Sequence, residues 1–92
     1  MSNKDDPMRQ RADWMKPADD RILELLRDLQ GSTADEIHKQ LPYSREYISR
    51  RLTELAEYGM IEKPSRGLYR FTEIADEYLD EELDASTLER DE

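Results

Sequence analysis

Pro42-Tyr43-Ser44-Arg45-Glu46-Tyr47-Ile48-Ser49-Arg50-Arg51-Leu52-Thr53-Glu54-Leu55-Ala56-Glu57-Tyr58-Gly59 reads as one helix with a defined start, one buried edge and a defined stop. Pro42 disfavours helix at the residue before it, and the Ser44 hydroxyl is placed to cap the new helix by accepting a bond from a free backbone N–H. Ile48, Leu52 and Leu55 recur at spacings of four and three, which puts them on one face. Gly59 supplies the left-handed stop that helices favour. The N-terminal end and outward side carry Arg45, Glu46, Tyr47, Ser49, Arg50 and Thr53. That set lacks aliphatics and is rich in groups that hydrogen-bond phosphates and base edges. The pattern is that of a recognition helix.

The elements before and after it supply the frame. Pro17 fits the first turn of an earlier helix, with Asp19 and Asp20 where the helix dipole favours acids. Lys16 in the cap position is a poor cap. Ile22, Leu23, Leu26 and Leu29 form its apolar stripe, with Leu25 at the margin, and Gly31 ends it. Thr33 with Glu36 three residues on reads as a capping box opening a short second helix, about nine residues long by the usual boundary rules. A short helix, a tight turn and a longer helix with arginines at its start make a helix-turn-helix. Beyond Gly59 the period changes. Met60–Lys63 and Gly67–Thr72 alternate apolar with polar around Pro64-Ser65-Arg66-Gly67, which predicts a β-hairpin. Thr72 caps a last helix with the stripe Ile74, Ala75, Tyr78, Leu79 and Leu83 and acids elsewhere. The expected fold is mainly α with a small β-hairpin: a winged helix-turn-helix with a three-helix core, a wing hairpin and a C-terminal helix. The expected organisation is a flexible arm over 1–11, a domain over 12–83 and an acidic tail over 84–92.

Charge first argues against a nucleic-acid partner. The chain has 92 residues and a formal net charge of −9. The distribution of that charge points the other way. Residues 1–42 carry seven Lys/Arg against nine Asp/Glu, residues 43–70 six against four, and residues 71–92 one against ten. The only basic segment therefore contains the recognition helix and the hairpin, and its cations are mainly arginines suited to bidentate contacts. The overall acidity fits a high-salt cytoplasm, which we favour because Asp19-Asp20 and Asp35-Glu36 lie outside the tail; an acidic interaction tail is the competing explanation.

Other function classes find little support. No apolar run is long enough to span a bilayer and no signal-peptide pattern appears, so the expected location is cytoplasmic. Without cysteine there are no disulfides or thiolate metal sites, and neither a cofactor nor a small-molecule effector is evident. One His and three Gly permit no nucleophile–base pair and no Gly-rich phosphate loop, so the chain is read as no enzyme. His38, beside an apolar stripe, reads as a helix-surface or core-edge residue. The carboxylates of 73–84 follow no calcium-loop spacing.

Ser44 through Leu52, then Leu55, Tyr58-Gly59-Met60-Ile61-Glu62 and Arg66-Gly67-Leu68-Tyr69-Arg70-Phe71-Thr72, are similar to prokaryotic winged-helix repressors. With the front block Ala12-Asp13-Trp14-Met15-Lys16-Pro17-Ala18-Asp19-Asp20-Arg21-Ile22-Leu23, the chain over roughly 8–85 resembles the small phage phiH repressor-like proteins of salt-loving archaea. Lys16 departs from the capping Thr expected at its position. The resemblance implies a cytoplasmic, DNA-binding transcriptional regulator. It also implies contacts from the start of the recognition helix and from the wing, here Ser44, Arg45, Glu46, Tyr47, Ser49 and Arg50 with Arg66 and Arg70. Lys63 is added from the hairpin pattern, placed to meet phosphate or a minor groove. Lys4, Arg9 and Arg11 would be the reach of an N-terminal arm.

Three choices remain open at this level. Arg45, Arg50 and Arg51 either face DNA or pair with Glu46, Glu54 and Glu57 one turn away, and Arg51, nearest the buried edge, is the weakest base contact. Tyr47 either meets a sugar or thymine methyl or packs against Pro42. The main reading, a sequence-specific repressor of double-stranded DNA, has as its alternative a winged helix that docks proteins through its acidic last helix. Phosphate contacts weaken steeply with salt, so the DNA reading calls for a homodimer to multiply contacts. Its candidate surfaces are Trp14-Met15 and Ile74, Tyr78, Leu79 and Leu83.

Overall fold

The computed structural model describes residues 9–90. The chain runs α1 (Pro17–Leu29), α2 (Ala34–Gln40), α3 (Arg45–Glu57), β1 (Ile61–Ser65), β2 (Leu68–Phe71), α4 (Glu73–Leu79) and a 3₁₀ turn at Ala85–Thr87. Ile22, Leu23 and Leu26 of α1, Ile37 of α2, and Ile48, Leu52 and Leu55 of α3 are fully buried together. Met60, Ile61, Tyr78, Leu79 and Ala85 close the same core. This is the winged helix-turn-helix the sequence pattern predicts.

The local rules account for most helix ends. Thr33 Oγ1 accepts from Glu36 N at 3.1 Å and Ser44 Oγ from Tyr47 N at 3.1 Å. The reciprocal half of the box at Thr33 is not made; the Glu36 carboxylate accepts from Gln40 Nε2. At Lys16 the missing cap is supplied from the third helical position, where Asp19 Oδ2 accepts from Lys16 N at 3.0 Å. α2 is shorter than expected, seven residues, since Leu41 turns extended ahead of Pro42.

Two antiparallel strands form the hairpin, with Ile61 opposite Phe71, Glu62 opposite Arg70 and Ser65 opposite Leu68. The register slips between Glu62 and Ser65, the interval that holds Pro64, which has no N–H to give the ladder. Pro64 therefore lies in β1 rather than in the turn, and the tip is Arg66-Gly67, with Gly67 at φ +80°. Ser32, in the connection between α1 and α2, clamps the hairpin: Ser32 N donates to Tyr69 O and Tyr69 N to Ser32 O, both at 2.8 Å. Gly31 at φ +117° makes that approach possible, and a Cβ there would lie 3.4 Å from Tyr69 O.

Three sequence expectations are corrected. α4 ends at Leu79, with Glu81 at φ +66°, so the acids of 73–84 do not form one helical face. Arg9 folds back onto the domain, and Arg11, though exposed, pairs with Asp20. Arg9 Nη1 lies 2.6 Å from Glu24 and its Nε donates to Leu79 O at 2.9 Å, while Arg11 lies 3.2 Å from Asp20; Lys4 falls outside the described residues. The segment after α4 is also packed, for Ala85 is buried and its N–H donates to Gln10 O at 2.9 Å.

Of the dimer surfaces drawn from the sequence, half the residues are buried within the monomer and half stay partly exposed. Met15, Tyr78 and Leu79 belong to the monomer's own core. Trp14 stacks on Tyr58 with ring centroids 3.9 Å apart, and Ile74 and Leu83 are half-buried against the same core. Within α4, Ala75, Tyr78 and Leu79 are used by the domain's own core.

Candidate nucleic-acid interface

α3 is held by its inner face and leaves its outer face to solvent. Ile48, Arg51, Leu52 and Leu55 are buried, whereas Arg45, Glu46, Arg50 and Thr53 are exposed. The α2–α3 turn that aims the helix is fixed by His38, whose Nδ1 donates to Tyr43 O at 2.8 Å. That bond gives the lone histidine a structural role.

Arg51 is the arginine the helix keeps for itself. It is 6% exposed, and Asp19, which it meets from α1, is 0% exposed. Nε and Nη2 donate to the two Asp19 oxygens at 2.8 Å each, Nη1 to Glu54 at 2.7 Å and Nη2 to Trp14 O at 3.1 Å. The guanidinium pKa is raised, first by the hydrogen bond to Asp19. Asp19, read from the sequence as a first-turn acid favoured by the helix dipole, is thus the buried anchor of α3. A second buried acid, Asp20, accepts from Tyr78 Oη at 2.8 Å and pairs with Arg9 and Arg11. The Tyr78 phenol is pushed up by burial and next by the bond to Asp20.

The remaining cations have different partners. Arg45 Nε lies 3.5 Å from Asp35, an exposed pair that contributes little stability and exchanges readily for another anion. Arg50 makes no ion pair among the described residues and lies over the Tyr47 ring, 5.8 Å from its centroid. Tyr47 packs on Tyr43, centroids 5.6 Å apart. Ser44 is occupied by its cap, and Ser49 is half-buried on the same outer side. On the hairpin, Arg66 is exposed at the tip and Lys63 lies 5.3 Å from the Tyr69 ring centroid. Arg70 is bound to Glu62 across the strands, Nε to Oε2 at 2.9 Å. Arg50, Lys63 and Arg66 are therefore the exposed cations of this region with no carboxylate partner among the described residues. One residue outside the sequence-derived set joins the surface: Arg90, the only basic residue after position 70, lines a groove with Ser49, Arg50 and Thr53. Its isolation among acids was the available signal.

An outward polar helix end, a buried opposite face and an adjacent hairpin with a cationic tip define a winged helix-turn-helix. The chain belongs to the winged helix-turn-helix phage repressor family, whose model matches residues 8–91. It is 34% identical over 89 residues to the repressor protein of Halobacterium phage phiH, covering 90% of this chain and 99% of that protein. The crystal structure of the PhiH1 repressor-like protein from Haloarcula marismortui is similar at a TM-score of 0.84 and 32% identity, over 92% of this chain and 99% of that one.

Proposed function

We propose that the protein is a sequence-specific repressor that binds double-stranded DNA, with α3 in the major groove and the hairpin tip against the backbone or minor groove. The observation that carries this reading is the placement of Arg50, Lys63 and Arg66, exposed and without an ion pair among the described residues, on α3 and the hairpin that follows it. In this reading Arg45 and Arg50 donate to base edges or flanking phosphates, with Ser44, Glu46, Tyr47 and Ser49 beside them. Lys63 and Arg66 meet the backbone, and Arg70 contributes less because Glu62 already holds it. Two copies, their α3 helices about one DNA turn (~34 Å) apart, would read a palindrome.

The test is fluorescence anisotropy on the duplex upstream of the protein's own gene against a scrambled duplex, from low to molar KCl. Preference for the upstream duplex is expected, and Arg50→Ala should cost roughly 1–3 kcal/mol of binding and relax that preference. Folded protein that binds no duplex at any salt would refute the reading and assign the fold to protein docking.

A further inference from the structure

The outer side of α3 is bordered by a residue from the far end of the chain. An open groove of about 400 Å³ is lined by Ser49, Arg50, Thr53, Glu54, Glu57 and Arg90. Arg90 Nη2 lies 2.8 Å from Glu57 and 3.3 Å from Glu54, and its guanidinium carbon lies 5.5 Å from the Tyr58 ring centroid. The segment that carries it is anchored by the buried Ala85 and by Leu88 packed against the core. The guanidinium is thus held in place while its side chain stays 52% exposed.

We infer that the C-terminal segment is part of the DNA-binding surface and that Arg90 faces a backbone phosphate beside Arg50, an inference that rests on the DNA-binding reading above. Three observations support it. First, Arg90 borders the same groove as Ser49, Arg50 and Thr53, toward the C-terminal end of α3. A recognition helix that inserts its N-terminal half in the major groove brings that end toward the flanking backbone. Second, Arg90 is the cation that meets Glu57 on the outer side of α3, and it shares Glu54 with the buried Arg51. Carboxylates so placed repel phosphate, and the single charge of Arg90 offsets part of that repulsion. Third, both ion pairs use Nη2, so Nε and Nη1 have no partner among the described residues. A guanidinium has donors on all three nitrogens, and the two free ones suit phosphate oxygens.

The experiment compares the full chain with Arg90→Ala and Arg90→Lys by anisotropy on the preferred and scrambled duplexes across a KCl series, with circular-dichroism melts of each protein. Arg90→Ala should weaken both duplexes by the same factor and lower the slope of log affinity against log salt, by at most about 0.9, the value for one full phosphate contact, because Glu54 and Glu57 already share its charge. Arg90→Lys should keep the wild-type slope. Unchanged affinity and slope in a folded Arg90→Ala protein would overturn the inference and leave the DNA reading intact. Tighter binding by that variant would overturn it too, since the segment would then shield α3. Wild-type protein that binds neither duplex would remove both.

Discussion

Replacing Arg51 with Met tests whether the recognition helix is anchored from behind. Arg51→Met keeps most of the stem and removes the guanidinium, leaving Asp19 fully buried with Lys16 N as its only other hydrogen-bond donor among the described residues outside its own helix. Breaking a buried pair from one side costs about 3–5 kcal/mol because a charge is left uncompensated. In a domain this small each kcal/mol lowers Tm by about 4–8 °C, so the melt should fall by at least ~12 °C. Asp19→Asn should cost less, because Arg51 retains Glu54 and the Trp14 carbonyl. The double variant should recover part of the loss, since it strands no charge. Circular-dichroism melts in dilute and molar KCl should give similar differences, as buried pairs are screened little. Below its melting point Arg51→Met should keep the wild-type salt slope for DNA. A melt of Arg51→Met within about 1 kcal/mol of wild type would refute the anchoring. Loss of DNA binding in that same stable variant would make Arg51 a DNA contact instead.

The Tyr78 phenol, raised above its ordinary value by burial, makes stability fall in alkali. Below the unfolded value of about 10 both states keep the proton and the contribution is whole; above it the unfolded chain releases the proton first, so stability declines with pH. Urea midpoints from pH 8 to 11 should show this decline, and Tyr78→Phe should flatten it. Gly31→Ala forces a side chain into φ +117°, 3.4 Å from Tyr69 O, and should cost about 1–3 kcal/mol in a melt; a neutral result would mean that the Ser32–Tyr69 clamp is dispensable. In the wing, Arg66→Ala should weaken all duplexes alike and reduce the salt slope by about one. Arg70→Ala should change it less, because Glu62 already offsets that charge; equal effects in anisotropy titrations would refute this division.

The fold was legible because its local signals agreed: caps at Thr33 and Ser44, the Ile48–Leu52–Leu55 edge and the change of period after Gly59 all point to one architecture. What sequence periodicity could not settle was which charged residues are buried. Asp19 reads as an ordinary first-turn acid, and Arg51 only as the arginine nearest the buried edge of its helix; the crossing of α1 and α3 joins them. The same limit applies to the dimer surfaces, since an apolar stripe looks identical whether its partner is another chain or the domain's own core. Arg9, Arg11 and Arg90 lie in segments without periodicity. Their positions depend on ion pairs to Asp20, Glu24, Glu54 and Glu57, which no local rule encodes.

Those pairings also bear on how a chain of charge −9 could approach a polyanion. Many carboxylates of the domain are already paired with a cation: Asp19 with Arg51, Asp20 with Arg9 and Arg11, Asp76 and Asp80 with Arg27, Glu54 with Arg51 and Arg90, Glu57 with Arg90, Glu62 with Arg70. Of the described cations left without an ion pair, Lys16 and Arg21 lie at the start of α1, and Arg50, Lys63 and Arg66 on α3 and the hairpin. Net charge governs the field many ångströms away, where dissolved salt screens it within about 8 Å at physiological strength and about 3 Å at 1 M. In concentrated salt a phosphate therefore responds to the few charges it nearly touches. Under that condition a strongly acidic protein and a DNA-facing helix are compatible, and affinity must come more from hydrogen bonds to bases than from counterion release.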